Sequence, residues 1–338
     1  YDIWGHEIHH FNKADSPCAT KKSSKQMIWS AVVNAIAVSF LAYRFQIYGF
    51  MFAQLLSFLF NIGYVQWYYN FRLNWKINWP VIKNLIGYGF PIMILGVMSA
   101  VFSSIDKLMI TTFLGFESLG LYGTAILATT YVTRFSNAAG IVLLPSFHAY
   151  YGKYENRHDL KGRLAKSSMA FSNTMPFLIA FGWFIFPPFI DVVLSKFVGG
   201  IPSVKYLILS SYFVALSTPY EIFIVAIKKH WLLYPIVLTA CALAALFDYA
   251  AIRLGYHITG IAVATSFILF CKFTAVYFLS ASYVFSRRET WWSYLVIVGK
   301  FLFSLSALIL IDRWISFEPL ILRALLQLAS FCLLSVPF

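Results

Sequence analysis

Ten apolar runs, each about as long as a bilayer is thick, follow one another along this 338-residue chain with only short polar loops between them. Their approximate spans are 27–45, 47–69, 85–113, 120–149, 167–190, 204–227, 231–252, 259–283, 292–311 and 319–338. A spanning helix needs about 20 predominantly apolar residues, because no water inside the bilayer can satisfy its backbone groups. Nothing between the runs is long enough for a separate soluble domain. The chain is therefore expected to be an all-α polytopic membrane protein of about ten transmembrane helices. Only 12% of its residues are charged, where a soluble domain has about 25%.

The net charge of +13 does not call for nucleic acid, because of where the charges sit. If residues 1–26 are cytoplasmic, the loops on that side hold 16 Lys and Arg, and the opposite loops hold five: Arg44, Lys196, Lys205, Arg253 and Arg313. The positive-inside rule favours this orientation. No nucleic-acid partner is expected. Cys18, Cys241, Cys271 and Cys332 lie far apart, and three fall inside apolar runs, so neither a disulfide framework nor a Cys-based zinc site is suggested.

The remaining basic residues, Lys107, Arg134, Lys272, Lys300 and Arg323, fall within the runs, as do the acids Asp106, Glu221 and Asp248. A charge at the centre of a membrane helix costs roughly 2.5–3.5 kcal/mol on insertion scales, and such residues usually face a protein interior or a water-filled path. Arg323 is near enough to a helix end to snorkel, and Asp248 is placed to reach the outer interface. Helical spacing groups the others. Ser99, Ser103, Lys107 and Thr111 share a side with Asp106; Thr130, Arg134 and Asn137 share another; Ser217 and Thr218 accompany Glu221; Thr265 is seven residues from Lys272. Hydroxyls in membrane helices commonly bond only their own backbone or tighten helix packing. Arg134 is about fourteen residues into its run, roughly 21 Å along the axis, where neither end is in easy reach.

Residues 6–10 read His-Glu-Ile-His-His, which matches H-E-x-x-H. On a helix that spacing would place His6 and His10 around a zinc ion, with Glu7 as general base. A membrane zinc metalloprotease is therefore the alternative from another class. Against it, Pro17 follows closely and no third ligand is evident. No Gly-rich nucleotide loop and no other catalytic cluster appears, so the chain is not expected to be an enzyme, and no cofactor is implied.

One stretch is more specific. Pro91 in the first third of a membrane helix is followed by S-S-I-D-K from Ser103 to Lys107, F-L-G from Phe113 to Gly115, a turn over Glu117 to Gly120, and G-L-Y from Gly120 to Tyr122. This resembles the bacterial polysaccharide-unit (O-antigen type, lipid-linked oligosaccharide) flippases of the multidrug/oligosaccharidyl-lipid/polysaccharide exporter superfamily. The basic stretches Arg72–Lys83 and Lys153–Lys166 are similar to that family too. The resemblance implies a partial two-lobe fold with a complete C-terminal lobe. Residues 1–26 are then a polar cytoplasmic segment, 27–69 the last two helices of the N-terminal lobe, 70–84 a basic cytoplasmic linker, 85–283 a six-helix C-terminal lobe, and 284–338 two additional helices. The first four helices are expected to be missing, which makes the chain a fragment.

By the same resemblance, the protein moves an undecaprenyl-pyrophosphate-linked oligosaccharide unit across the cytoplasmic (inner) membrane by alternating access, with a polysaccharide polymerase and glycosyltransferases as partners beside the lipid-linked substrate and membrane lipids. Lysine and arginine are natural phosphate ligands. The substrate-site residues expected are Arg134, Asp106, Lys107, Lys272, Lys300, Glu221, Ser103, Thr130 and Asn137. A drug/cation antiporter of the same superfamily is the nearer alternative. It would need acids to dominate the cavity, and here the deep cations outnumber the secure acids.

Overall fold

A computed structural model describes residues 16–69, 79–154, 157–314 and 320–335. They are almost wholly helical, with no strand among them. The His6–His10 motif lies outside the described residues. In chain order the helices are α1 (Ser16–Tyr69), α2 (Trp79–Phe113), α3 (Gly115–Tyr154), α4 (Arg157–Val193), α5 (Ile201–Ala226), α6 (Leu233–Arg253), α7 (His257–Ala281), α8 (Arg287–Trp314) and α9 (Leu320–Ser335). Short 3-10 turns at Ser195–Gly200 and His230–Leu232 precede α5 and α6. Among the described residues seven stretches are long and apolar enough to cross a membrane: Ile28–Tyr64, Leu85–Phe113, Lys161–Val193, Ser195–Ala226, His230–Arg253, His257–Ala281 and Arg287–Trp314. Outside these seven, α3 is helical but carries a polar stretch from Thr129 to Asn137, and α9 has only 16 described residues. The protein is an all-α, multi-pass membrane protein.

The chain divides into two compact units, Tyr1–Ile82 and Lys83–Phe338. In the first, α1 folds back on itself at Gln46, whose φ of 52° and ψ of −128° are not helical. This is where the sequence separates the runs 27–45 and 47–69. The two arms are antiparallel: Asn61 donates to Ser30 at 2.7 Å, and Asn34 to Gln54 at 3.4 Å. Their seam is lined by small residues four apart, Gly49, Ala53 and Ser57, all buried. A Cβ at Gly49 would come within 1.9 Å of the Leu41 carbonyl oxygen, so only glycine fits so close to the bend. This is the small-residue packing that membrane helices use where no hydrophobic force draws them together.

The second unit is built around α5, the most buried helix, whose Phe213 and Tyr220 pack against Phe273 and Tyr277 of α7 and whose Tyr212 packs against Phe301 of α8. Ion pairs mark its two ends. Lys161 of α4 meets Glu289 of α8 at 2.7 Å, and at the other end Lys205 of α5 meets Asp312 of α8 at 2.6 Å. The turn between α2 and α3 differs from expectation. The chain reverses at Leu114–Gly115, where Gly115 has φ +85°, and Glu117 to Gly120 are already helical. Glycine adopts the left-handed conformation without penalty and ends α2 there. Glu117 then sits in the first turn of α3, where the helix dipole favours an acid.

Candidate functional site

Asp106 forms the first node. Its Oδ2 accepts hydrogen bonds from the Tyr122 hydroxyl of α3 at 2.7 Å and the Thr265 hydroxyl of α7 at 2.9 Å. One buried carboxylate thus joins three helices. The geometry follows from hairpin symmetry. Asp106 lies eight residues before Leu114 and Tyr122 eight after it, so both are about 12 Å from the same turn. Asp248 lies five residues before the end of α6 at Arg253, and Thr265 eight residues after the start of α7 at His257. Asp106, Tyr122 and Thr265 meet at one depth.

Asp248 does not reach an interface as expected. It is completely buried, neither carboxylate oxygen has a hydrogen-bond partner among the described residues, and it is near enough to Asp106 for their charges to interact. α6 is long enough past Asp248 that the acid remains inside the packed helices. A buried carboxylate with no hydrogen-bond partner requires a positive compensator, either a proton or a small cation. Among the described residues no set of three or more His, Cys, Asp or Glu could hold a metal ion.

A second node lies deeper. Lys272 of α7 pairs with Glu221 of α5 at 3.0 Å. Lys300 of α8 donates to Asn173 Oδ1 of α4, so a neutral amide is its partner. Both lysines tie helices together.

Lys107 and Arg134 behave differently. Both are exposed, and among the described residues neither has an ion-pair partner. Lys107 does not pair with its neighbour Asp106, whose oxygen is taken by hydroxyls. Because α3 starts at Gly115, Arg134 is about 29 Å along it, nearly a full hydrocarbon thickness from the turn, and Lys107 about 10 Å from the same turn. The two cations are therefore at opposite depths, with Arg134 deeper than its run suggested. Asn137 is exposed on the Arg134 side of α3. The Thr130 hydroxyl bonds the Ile126 carbonyl at 2.7 Å, and the Ser103 hydroxyl bonds Ala100 at 2.9 Å, each within its own helix.

The site members that the sequence reading did not place among the substrate-site residues are Tyr122, Thr265, Asp248 and Asn173. For Tyr122 the signal was available in the equal distances of 106 and 122 from their turn. Nothing in the sequence pairs Asn173 with Lys300.

The sequence profile of a family described as polysaccharide biosynthesis protein matches residues 19–197, more than half of the chain. The chain belongs to this family. The exporter resemblance of the Ser103–Tyr122 motif leads to the same group. No curated protein matches the chain. Among solved structures, this family member is similar to the lipid II flippase MurJ in its inward closed conformation, with 16% identity and a TM-score of 0.63 over 91% of the chain. At that identity the likeness is one of fold. The chain spans 64% of the length of that flippase.

Proposed function

We propose that this polysaccharide biosynthesis family member forms part of a flippase that carries an undecaprenyl-pyrophosphate-linked oligosaccharide unit across the cytoplasmic (inner) membrane by alternating access, for polysaccharide or O-antigen biosynthesis. Residues 27–69 complete an N-terminal lobe, 70–84 form a basic linker, 85–283 are the six-helix C-terminal lobe, and 284–338 add two helices. The observation that carries this reading is the pair of uncompensated cations, Lys107 and Arg134, on exposed faces of α2 and α3 at opposite depths. Unpaired charge within membrane helices is expensive and faces a polar path. A pyrophosphate crossing such a path meets one cation near each side. The guanidinium fork of Arg134 can bind two phosphate oxygens at once, and Lys107 acts as a point charge.

The Asp106–Asp248 pair is the coupling element of this reading. A proton or cation taken up there changes the charge where α2, α3 and α7 meet, and so biases the conformations of the lobe. Lys272, Glu221 and Lys300 hold the framework that presents the path.

The test is complementation of a strain lacking its own polysaccharide flippase, scored by surface polysaccharide. Arg134→Ala is expected to abolish export at normal membrane levels. Arg134→Lys keeps the charge, loses the fork and retains part of it. Full export by the Ala variant would remove Arg134 from the path.

A further inference from the structure

Helix α8 is tied to its neighbours at three levels, and between the second and third one face stays packed, with Ala307, Leu308 and Ile311 buried, while another borders an open groove. Near its start Tyr277 donates to the Thr290 carbonyl at 2.8 Å, and the Thr274 and Tyr294 hydroxyls meet at 3.0 Å. Midway, Tyr212 donates to the Ile297 carbonyl at 2.9 Å. The third tie is the Lys205–Asp312 ion pair. Between Ile297 and Asp312 the helix leaves a cavity of about 820 Å³ against α5 and α7, within the range of roughly 300–1,000 Å³ typical of small-molecule sites. Its walls are apolar: Leu209 and Phe213 from α5, Phe267 and Phe270 from α7, Phe301 and Leu305 from α8. Phe267 and Leu302 are more than half exposed, so the groove opens sideways.

The mouth is charged. Asp312 is held by Lys205 at 2.6 Å and by Arg323 of α9 at 3.6 Å, and all three side chains remain about a quarter exposed. Lys205 also lies 5.2 Å over the Trp183 ring. Two cations share one carboxylate, which leaves a net positive charge at the opening. At the other end the groove has a floor, where Phe301 packs on Phe213 at 4.6 Å and on Tyr212 at 5.2 Å between ring centroids.

We infer that this groove binds one acyl chain of an anionic phospholipid, with the headgroup phosphate on Lys205 and Arg323. The length selects the occupant. From Phe301 to Asp312 is eleven residues, about 16 Å, or about half of the 30 Å hydrocarbon core and hence one leaflet. A groove of that depth covers one acyl chain and only a fraction of a longer polyprenyl tail. The excess cation favours an anionic over a zwitterionic headgroup. The site uses neither Lys107, Arg134 nor the Asp106 node, so it stands independently of the transport reading.

The experiment reconstitutes the purified protein in vesicles of equal phosphatidylglycerol and phosphatidylethanolamine, extracts it in mild detergent and counts retained lipids by native mass spectrometry. One phosphatidylglycerol per chain is expected, enriched about tenfold over phosphatidylethanolamine. The Lys205→Ala/Arg323→Ala double variant abolishes the enrichment, and Leu305→Trp expels the lipid while leaving every charge in place. Asp312→Asn frees both cations and raises the enrichment several-fold, a gain that a misfolded variant cannot imitate. Retention of the two lipids in the supplied ratio by the wild type, or of undiminished phosphatidylglycerol by Leu305→Trp, overturns the proposal. So does stoichiometric displacement of the lipid by added undecaprenyl phosphate.

Discussion

Thr265 and Lys272 sit seven residues apart on α7, and each ties its helix to an acid, yet the two acids live in opposite circumstances. Glu221 is partly exposed and has a lysine at 3.0 Å. Asp106 is buried, accepts only hydroxyls, and has Asp248 close by with no partner at all among the described residues. The Glu221–Lys272 pair is neutral and complete as it stands. The aspartate pair is complete only when something positive joins it. A lobe that needed Asp106 only as a structural joint would lose nothing by using an amide there. In the proposed transporter the ion pair is therefore the framework and the aspartates are the switch.

The sharpest way to break that assignment is to remove charge while keeping shape. Both hydroxyls bond one oxygen of Asp106, so the side-chain amide oxygen introduced by Asp106→Asn can accept both bonds. Asp106→Asn and Asp248→Asn are each expected to reduce export at least tenfold in the complementation assay. The thermal midpoint in detergent should stay unchanged or rise, since an unpartnered buried charge has gone. Wild-type export by both variants would make the node purely structural.

The ion pair should respond in the reverse manner. Glu221→Gln leaves Lys272 without its counter-charge. It is expected to destabilise the protein by about 2 kcal/mol, less than the 3–5 kcal/mol of a fully buried pair because Glu221 is 35% exposed. The double variant Glu221→Leu/Lys272→Met should recover most of that loss and retain export. If the double variant is stable but silent in export, the pair belongs to the transport machinery.

Thr265→Val removes one of the two donors to Asp106 and is expected to cost about 1–2 kcal/mol, with a smaller loss of export than Asp106→Asn. The smallest effect is expected at Ser103, whose hydroxyl only bonds Ala100 within its own helix. Ser103→Ala should stay within about 0.5 kcal/mol of wild type. A large export defect there would return Ser103 to the path.

By itself the sequence determined the membrane class, the helix positions and the bend between the first two runs, because the bilayer demands runs of a set length and Gln46 interrupts one of them. It also singled out the deep charges Asp106, Lys107, Arg134, Glu221, Lys272 and Lys300, since each stands out against apolar neighbours, but it left Lys205 in a loop and passed over Asp312, which pair across two helices. What the sequence could not decide was which charges meet. Asp248 looked close to an interface by residue count, and only the packing of α2, α3, α6 and α7 around it seals it from solvent. Lys272 and Glu221 are 51 positions apart, and Lys300 and Asn173 are 127 apart. Helical periodicity reports which residues share a face of one helix, and it carries no information about which helix that face will meet. The groove beside α8 is legible only in space for the same reason. It lies where one face of α8 between Ile297 and Asp312 leaves space against side chains of α5 and α7, which are distant in the sequence.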